Sequence, residues 1–279
     1  MPLKDIIAFA KLNLGLHVLE KRTDGYHNIE TVFLRIGWHD ELRFHASETL
    51  KMTCSDPELP VDERNLCIQA AKIVMGDVDL GVHIHLEKAI PFGAGLGGGS
   101  SDAAVTLVAC NKMWGAGLSS TDLAAYAAEL GSDVPFFLGS AVALGRGRGE
   151  MLGALPVPNA LIDRFLAVIV PNTKVFTSEA YSGVQPNAES RIDLRELILE
   201  GELSDWRRHL VNDFESGLLG RYSEIREVKE HLYSSGASYA SLSGSGSAVF
   251  GVFDSMDSAE ACCARLPEGY RFWVGPALI

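Results

Sequence analysis

The segment Pro91, Phe92, Gly93, Ala94, Gly95, Leu96, Gly97, Gly98, Gly99, Ser100, Ser101, Asp102 holds five glycines within positions 93–99. Backbone without Cβ atoms can approach a ligand closely and take positive φ at little cost. Its N–H groups, with the free N–H groups of a helix starting near Ser100 or Ser101, converge on one point, where the helix dipole adds positive potential. Such a loop suits a polyphosphate. A flexible surface turn is the plainer alternative, but it would not need five glycines and two hydroxyl residues at a helix start. The loop is not a Walker A motif. Gly93 to Gly98 has the span, but Gly99 stands at the lysine position. Gly93, Gly95 and Gly98 also satisfy Gly-x-Gly-x-x-Gly. A dinucleotide fold, however, places that motif directly after its first strand, and here Lys88-Ala-Ile-Pro91 intervenes far into the chain.

Phosphoryl transfer asks mainly for positioning and charge neutralisation, and it needs a destination for the acceptor's proton. Asp133 follows a helix stop at Gly131 and precedes Pro135, which should hold Val134 extended. Its carboxylate can be a general base on a stiff turn, or simply the cap of a following helix. Lys11 stands among Phe9, Ala10 and Leu12. It is either a buried ammonium or a lysine facing out from an edge strand. Tyr26 and His27 close the turn Thr23-Asp-Gly-Tyr-His27. An aromatic pair on a loop can stack a nucleobase, and a packed surface aromatic is the alternative. Gly244 and Gly246, in the serine-rich 241–247, allow a tight turn near a site or mere structural closure. Arg146 and Arg148, in Gly145-Arg-Gly-Arg-Gly149, could face the phosphates but read as solvated charges.

Four segments together resemble one family. They are Ala10-Lys-Leu-Asn-Leu14 with Asp24-Gly-Tyr-His27, the glycine loop, Gly131-Ser-Asp-Val-Pro135, and Ser243-Gly-Ser-Gly-Ser247. In this order they resemble the galactokinase, homoserine kinase, mevalonate kinase and phosphomevalonate kinase superfamily, over essentially the full chain. The match is weak from about 171 to 205. The resemblance implies an α+β, two-lobed small-molecule kinase, with an N-terminal ribosomal-protein-like lobe and a C-terminal ferredoxin-like lobe. It implies ATP as donor, Mg²⁺ bridging phosphate oxygens, and Lys11 paired with Asp133 as the catalytic couple. Asn65 would lie near the adenine, and Pro91 to Ser101 would wrap the phosphates. Ser100 and Ser101 would contact phosphate or the metal shell. Within the superfamily the chain is most similar to the branch whose acceptor alcohol carries a cytidine diphosphate, in non-mevalonate isoprenoid precursor biosynthesis. That implies Tyr26 and His27 as cytosine contacts, Asn13 and Thr177 in the acceptor pocket. A relative acting on homoserine or mevalonate is the alternative.

The elements that must position these residues are partly legible. Residues 6–9 and 12–18 look extended, as do 30–35 and 40–44, with Gly37 as a turn between the last two. In 81–86, Val82, Ile84 and Leu86 share one face by strict alternation. A helix over 65–74 would bury Leu66, Ile68, Ala70 and Val74. Another runs from Ser100 or Ser101 to Trp114 with Ala104, Leu107, Val108 and Ala109 inward, stopped by Gly115. A third runs from Ser120 or Thr121 to a stop at Gly131. The Pro- and Gly-rich stretch 145–159 is the expected boundary between a nucleotide-binding part, 1–155, and a second part, 156–279. Beyond it, 165–170 and 247–253 read as strands, 224–233 and 258–266 as helices, and 171–205 carries no clear pattern.

Charge and cysteine usage narrow the class. A formal charge of −12 speaks against a nucleic-acid backbone binder, including an RNA-binding module. It leaves room for an anionic small substrate, which needs only local positive potential. The five cysteines are odd in number and show no zinc spacing. Free thiols suit a reducing cytoplasm. The first eleven residues lack the basic start and apolar core of a signal peptide, and no apolar run is long enough for a membrane span.

Overall fold

The computed structural model describes residues 3–76, 81–189 and 191–278. In chain order the elements are β1 (Leu3–Lys21), β2 (His27–Ser47), β3 (Lys51–Cys54), α1 (Leu66–Met75), β4 (Gly81–Glu87), α2 (Gly98–Trp114), α3 (Ser120–Leu130), β5 (Val142–Arg146) and β6 (Met151–Ala154). There follow β7 (Phe165–Val170), α4 (Thr177–Ser182), α5 (Leu194–Glu200), α6 (Leu203–His209), α7 (Glu215–Arg221), α8 (Ser223–Ser234), β8 (Tyr239–Leu242), β9 (Val249–Phe253), α9 (Met256–Cys263) and β10 (Arg271–Pro276). Two compact units group these segments. The first comprises 1–10, 38–92 and 97–140; the second comprises 11–37, 93–96 and 141–279. Compactness therefore follows the chain back and forth and makes no single cut in the 145–159 stretch.

In the first unit β2 pairs antiparallel with β4, Leu42 opposite Leu86 and Phe44 opposite Ile84. β3 joins β4 in parallel, with α1 in the crossover that a parallel pair requires. The alternation of β4 holds as expected: Val82, Ile84 and Leu86 are buried with Leu42 and Phe44, against Ile68 and Ala71 of α1 and Ala103, Ala104 and Leu107 of α2. Val108 is exposed, against expectation, and Cys110 takes the inward place one turn beyond Leu107.

The second unit contains a four-stranded sheet in the order β10-β7-β9-β8, antiparallel throughout. With α8 before β8 and α9 before β10, the sequence of elements is β-α-β-β-α-β and the strand order 4-1-3-2, which is the ferredoxin-like arrangement. Ile225, Val228 and Leu232 of α8 form one stripe at i, i+3, i+7. They pack with Ala167 and Ile169 of β7, Phe253 of β9 and Ala259 and Cys262 of α9. In the same unit β5 pairs with β2 at 31–34 and forms a hairpin with β6.

Three expectations need correction. Gly37 is no turn. Inward positions Leu34, Ile36, Trp38, Asp40, Leu42 and Phe44 alternate without interruption across it, so β2 is continuous. The extended stretches 6–9 and 12–18 likewise merge into β1. The unpatterned 171–205 holds three short helices, α4, α5 and the start of α6. None is long enough for a 3.6-residue period to show.

Candidate active site

Successive side chains of a strand point to opposite faces. In β1, Leu12, Leu14, Leu16 and Val18 take one face, which leaves Lys11, Asn13, Gly15 and His17 on the other, and all of these are buried. Lys11 is only 4% exposed, so the edge-facing alternative does not hold. Its ammonium donates to Asn13 Oδ1 at 2.5 Å and lies 5.4 Å from the Phe33 ring centroid. Asn13 Nδ2 donates to Thr31 Oγ1 at 2.9 Å, and that hydroxyl donates to the Gly15 carbonyl at 2.6 Å. Asn13 therefore has its carbonyl oxygen fixed towards the cation. A buried ammonium needs such partners, because desolvation disfavours its charged form.

The tip of the glycine loop belongs to this same unit. The Lys11 N–H donates to the Leu96 carbonyl at 2.9 Å, the Ala248 N–H to Ala94 at 3.0 Å and the Ser243 hydroxyl to Gly95 at 2.9 Å. Gly95 has φ +79°, and a Cβ there would stand 2.1 Å from the Ser243 carbonyl oxygen, so only glycine fits. Gly244, with φ +53°, approaches Asn13 and Lys11 less tightly. A Cβ on it would be 3.2 Å from Asn13 Oδ1 and 3.4 Å from Lys11 Nζ. Asn212 holds that turn by donating to the carbonyls of Leu242 and Gly244, both at 2.9 Å.

The flanks of the loop belong to the first unit. Helix α2 begins at Gly98, two residues earlier than expected. Its N-cap is Gly97 at φ +69°, with no side-chain cap and no acidic residue in the first turn. Those first N–H groups are donors without the usual internal acceptor. Ser101 is buried and Ser100 half-buried, while Phe92 is 72% exposed. Asn65 caps α1: its Oδ1 accepts from Cys67 N at 2.9 Å and its Nδ2 donates to the Pro60 carbonyl at 2.8 Å.

Asp133 is half-buried at the head of a 3₁₀ turn, Val134–Leu138, which places Val134 in the turn and not in an extended conformation. Pro135 is tolerated there because the first turn of a helix has no use for its missing N–H. The carboxylate does not cap the turn, so the capping alternative fails.

The residues expected on the acceptor side fall in the second unit. Tyr26 is 56% exposed, with the Arg148 guanidinium 4.9 Å from its ring centroid. Arg146 pairs with Glu30 at 2.7 Å. Neither arginine is a merely solvated charge. His27 stacks on Tyr181, ring centroids 4.6 Å apart and planes 17° from parallel, and Tyr181 meets Phe214 edge-on. Burial, then the Lys21 charge, lowers the His27 pKa and favours its neutral form. Thr177 Oγ1 lies 3.3 Å from Ser245 Oγ. Tyr181 and Thr31 were not foreseen, whereas Ser243 stood in a segment already singled out. Only the position of Thr31, inward beside Val32 and Phe33 in a strand, could have drawn notice.

Two-unit α+β architecture, a glycine loop opening a helix and a buried lysine define a small-molecule kinase of the GHMP class. Residues 65–140 match the GHMP kinases N terminal domain and residues 194–271 the GHMP kinases C terminal domain. The chain is 42% identical over 278 residues to the 4-diphosphocytidyl-2-C-methyl-D-erythritol kinase of Chlorobium phaeobacteroides, covering 96% of this chain and 93% of that one. It is 34% identical to the solved 4-(cytidine 5'-diphospho)-2C-methyl-D-erythritol kinase, with TM-score 0.79 over 97% of this chain and 98% of that one. A homoserine kinase from Cytophaga hutchinsonii, at 20% identity and TM-score 0.69 over 98% and 94%, shares the fold. The chain belongs to the 4-diphosphocytidyl-2-C-methyl-D-erythritol kinase family.

Proposed function

We propose that this kinase transfers the γ-phosphoryl group of ATP to the 2-hydroxyl of 4-diphosphocytidyl-2-C-methyl-D-erythritol, in isoprenoid precursor biosynthesis. The observation that carries the reading is the buried Lys11 ammonium, oriented by Asn13, on the strand whose backbone also holds the tip of the glycine loop. Residues Asn65 and 91–101 take ATP, all within the nucleotide-binding part expected before residue 155. The N–H groups at the start of α2 and the hydroxyl of Ser100 face its phosphates. In the reaction a bond forms between the acceptor oxygen and the γ-phosphorus. The bridging β–γ bond breaks, and ADP leaves with the electron pair. Asp133 takes the hydroxyl proton. A carboxylate is too weak a base to strip an alcohol early, so the proton moves late, once the O–P bond is partly made. Lys11 stabilises charge on the acceptor oxygen and the phosphoryl group.

Magnesium, when bound, neutralises phosphate charge. Among the described residues no group of three or more His, Cys, Asp or Glu could hold a metal ion. The uncapped first turn of α2 suits the phosphates of the nucleotide, and a metal carried on those phosphates would have the Ser100 hydroxyl as its nearest protein oxygen in this reading. Tyr26 and His27 contact the cytosine in this reading, with Asn13 and Thr177 on the rest of the acceptor. The five free thiols fit a reducing cytoplasm, and no helix among the described residues is long and apolar enough to cross a membrane.

The test is ATP turnover against a panel of 4-diphosphocytidyl-2-C-methyl-D-erythritol, homoserine and mevalonate. We expect turnover with the first alone, and turnover confined to either of the others refutes the choice.

A further inference from the structure

We propose that Lys88 and Asp40 are positioning residues for nucleotide binding: one buried ion pair fixes both ends of the glycine-rich loop. The proposal rests on the reading of 91–101 as the ATP loop.

Asp40 occupies an inward position of β2, between Trp38 and Leu42, and its side chain is wholly buried. Its Oδ1 accepts from the N–H groups of Ala89 at 2.6 Å and Ile90 at 2.8 Å. Its Oδ2 takes the Lys88 ammonium. One carboxylate thus holds the three consecutive residues that lead into Pro91. The same ammonium reaches the far end of the loop. It lies 3.5 Å from Asp102 Oδ2, in the second turn of α2. A Cβ on Gly98 would be 2.8 Å from Lys88 Nζ and 3.1 Å from Ile90 Cγ2. Residues 90 and 98 therefore meet across a missing side chain, and the ion pair stands at that junction.

Stability alone is a poor reason for this arrangement, because the desolvation of two buried charges commonly offsets their attraction. What it provides is direction: short, charge-assisted hydrogen bonds of fixed geometry. A loop that binds an anion through backbone donors needs those donors in place beforehand. Asp102 is the surplus carboxyl. Its Oδ1 is buried without a hydrogen-bond partner, whereas Asp40 has three contacts. Burial and the Asp40 charge, opposed by Lys88, raise the Asp102 pKa. Burial alone would lower that of Lys88, but the two carboxylates outweigh it. The Lys88 ammonium stands closer to Asp40 than to Asp102.

The experiment compares wild type with Asp40→Asn and Lys88→Met, well below their melting temperatures. Affinity for a fluorescent ATP analogue is measured without acceptor, followed by kcat and both KM values. We expect nucleotide affinity and the KM for ATP to worsen about tenfold or more, while the KM for the acceptor stays within about twofold. A purely architectural role would lower the melting temperature and leave nucleotide affinity unchanged in the folded protein, which would overturn the proposal. Equal worsening for ATP and acceptor would do the same. If Asp40→Asn and Lys88→Met do not fold, Gly98→Ala displaces the same ammonium from the helix side, and unaltered nucleotide affinity there refutes the idea equally. The binding arm needs no acceptor. A wrong acceptor therefore appears as absent wild-type turnover with nucleotide binding intact, whereas a wrong positioning role appears as wild-type nucleotide affinity in the variants. Wild type that does not bind the analogue would sink both.

Discussion

Asp133 carries the reaction's proton in our reading, and Asp133→Asn removes that capacity at almost constant volume. We expect kcat to fall about 10²- to 10⁴-fold, with the nucleotide dissociation constant nearly unchanged. Retained turnover would take Asp133 out of its role. Asp102 gives a prediction of another kind. Its pKa is raised to about 8, chiefly by burial, from an ordinary value near 4. Between those values the folded state holds a proton that the unfolded state releases. Stability is therefore full below pH 4 and is lost as pH rises towards 8, by up to about 1.4 kcal/mol per pH unit. Asp102→Asn, which mimics the neutral acid, should flatten this slope in urea titrations at pH 5 and pH 8; an unchanged slope contradicts it. Lys11 could be singled out from its apolar flanks, and Asp133 and the Tyr26–His27 turn from their motifs. Asp40 and Lys88 could not. Nothing in a linear chain states that position 40 touches position 88, and the one hint was a carboxylate at an inward place in an apolar strand.

At the level of the elements, the glycine loop is defined as much by what it touches as by its freedom. Gly95→Ala adds a Cβ where the Ser243 carbonyl stands 2.1 Å away, at a φ that disfavours alanine. The tip must move. We expect the KM for ATP to rise at least tenfold, by about the misplacement factor known for active sites, with the melting temperature lowered as well; wild-type nucleotide kinetics would show that the tip position is unimportant. Leu107→Ala, in the buried face of α2, should cost about 2–5 kcal/mol in urea unfolding, and a loss under 1 kcal/mol would mean that the face is loosely packed. β4, α1, α2 and α3 were legible because alternation, caps and glycine stops are local. Gly37 misled because a lone glycine signals a turn only when the alternation around it breaks. β3, β5, β6, β8 and β10 went unnoticed, since strands of four to six residues owe their pairing to distant partners.

On the scale of the whole molecule, β1 and β2 each contribute residues to both compact units as unbroken strands. Trp38 and Trp114 report on the first unit, Trp206 and Trp273 on the second. Urea transitions followed in variants that retain Trp38 alone or Trp206 alone should coincide, and separated midpoints would show independent folding. A two-part organisation was legible from motif order, but the Pro- and Gly-rich stretch 145–159 lies wholly inside the second unit. The interleaving was not legible, because it depends on which distant segments share a core. The backbone approach of Gly95 to Ser243 bears on how such a chain can diversify. Residues 93–96 and 243–248 form a single joint, although nearly 150 positions of chain separate them. A glycine loop grafted from a distant relative would bring half of a lock without its key, so a working chimera has to exchange both stretches as one cassette.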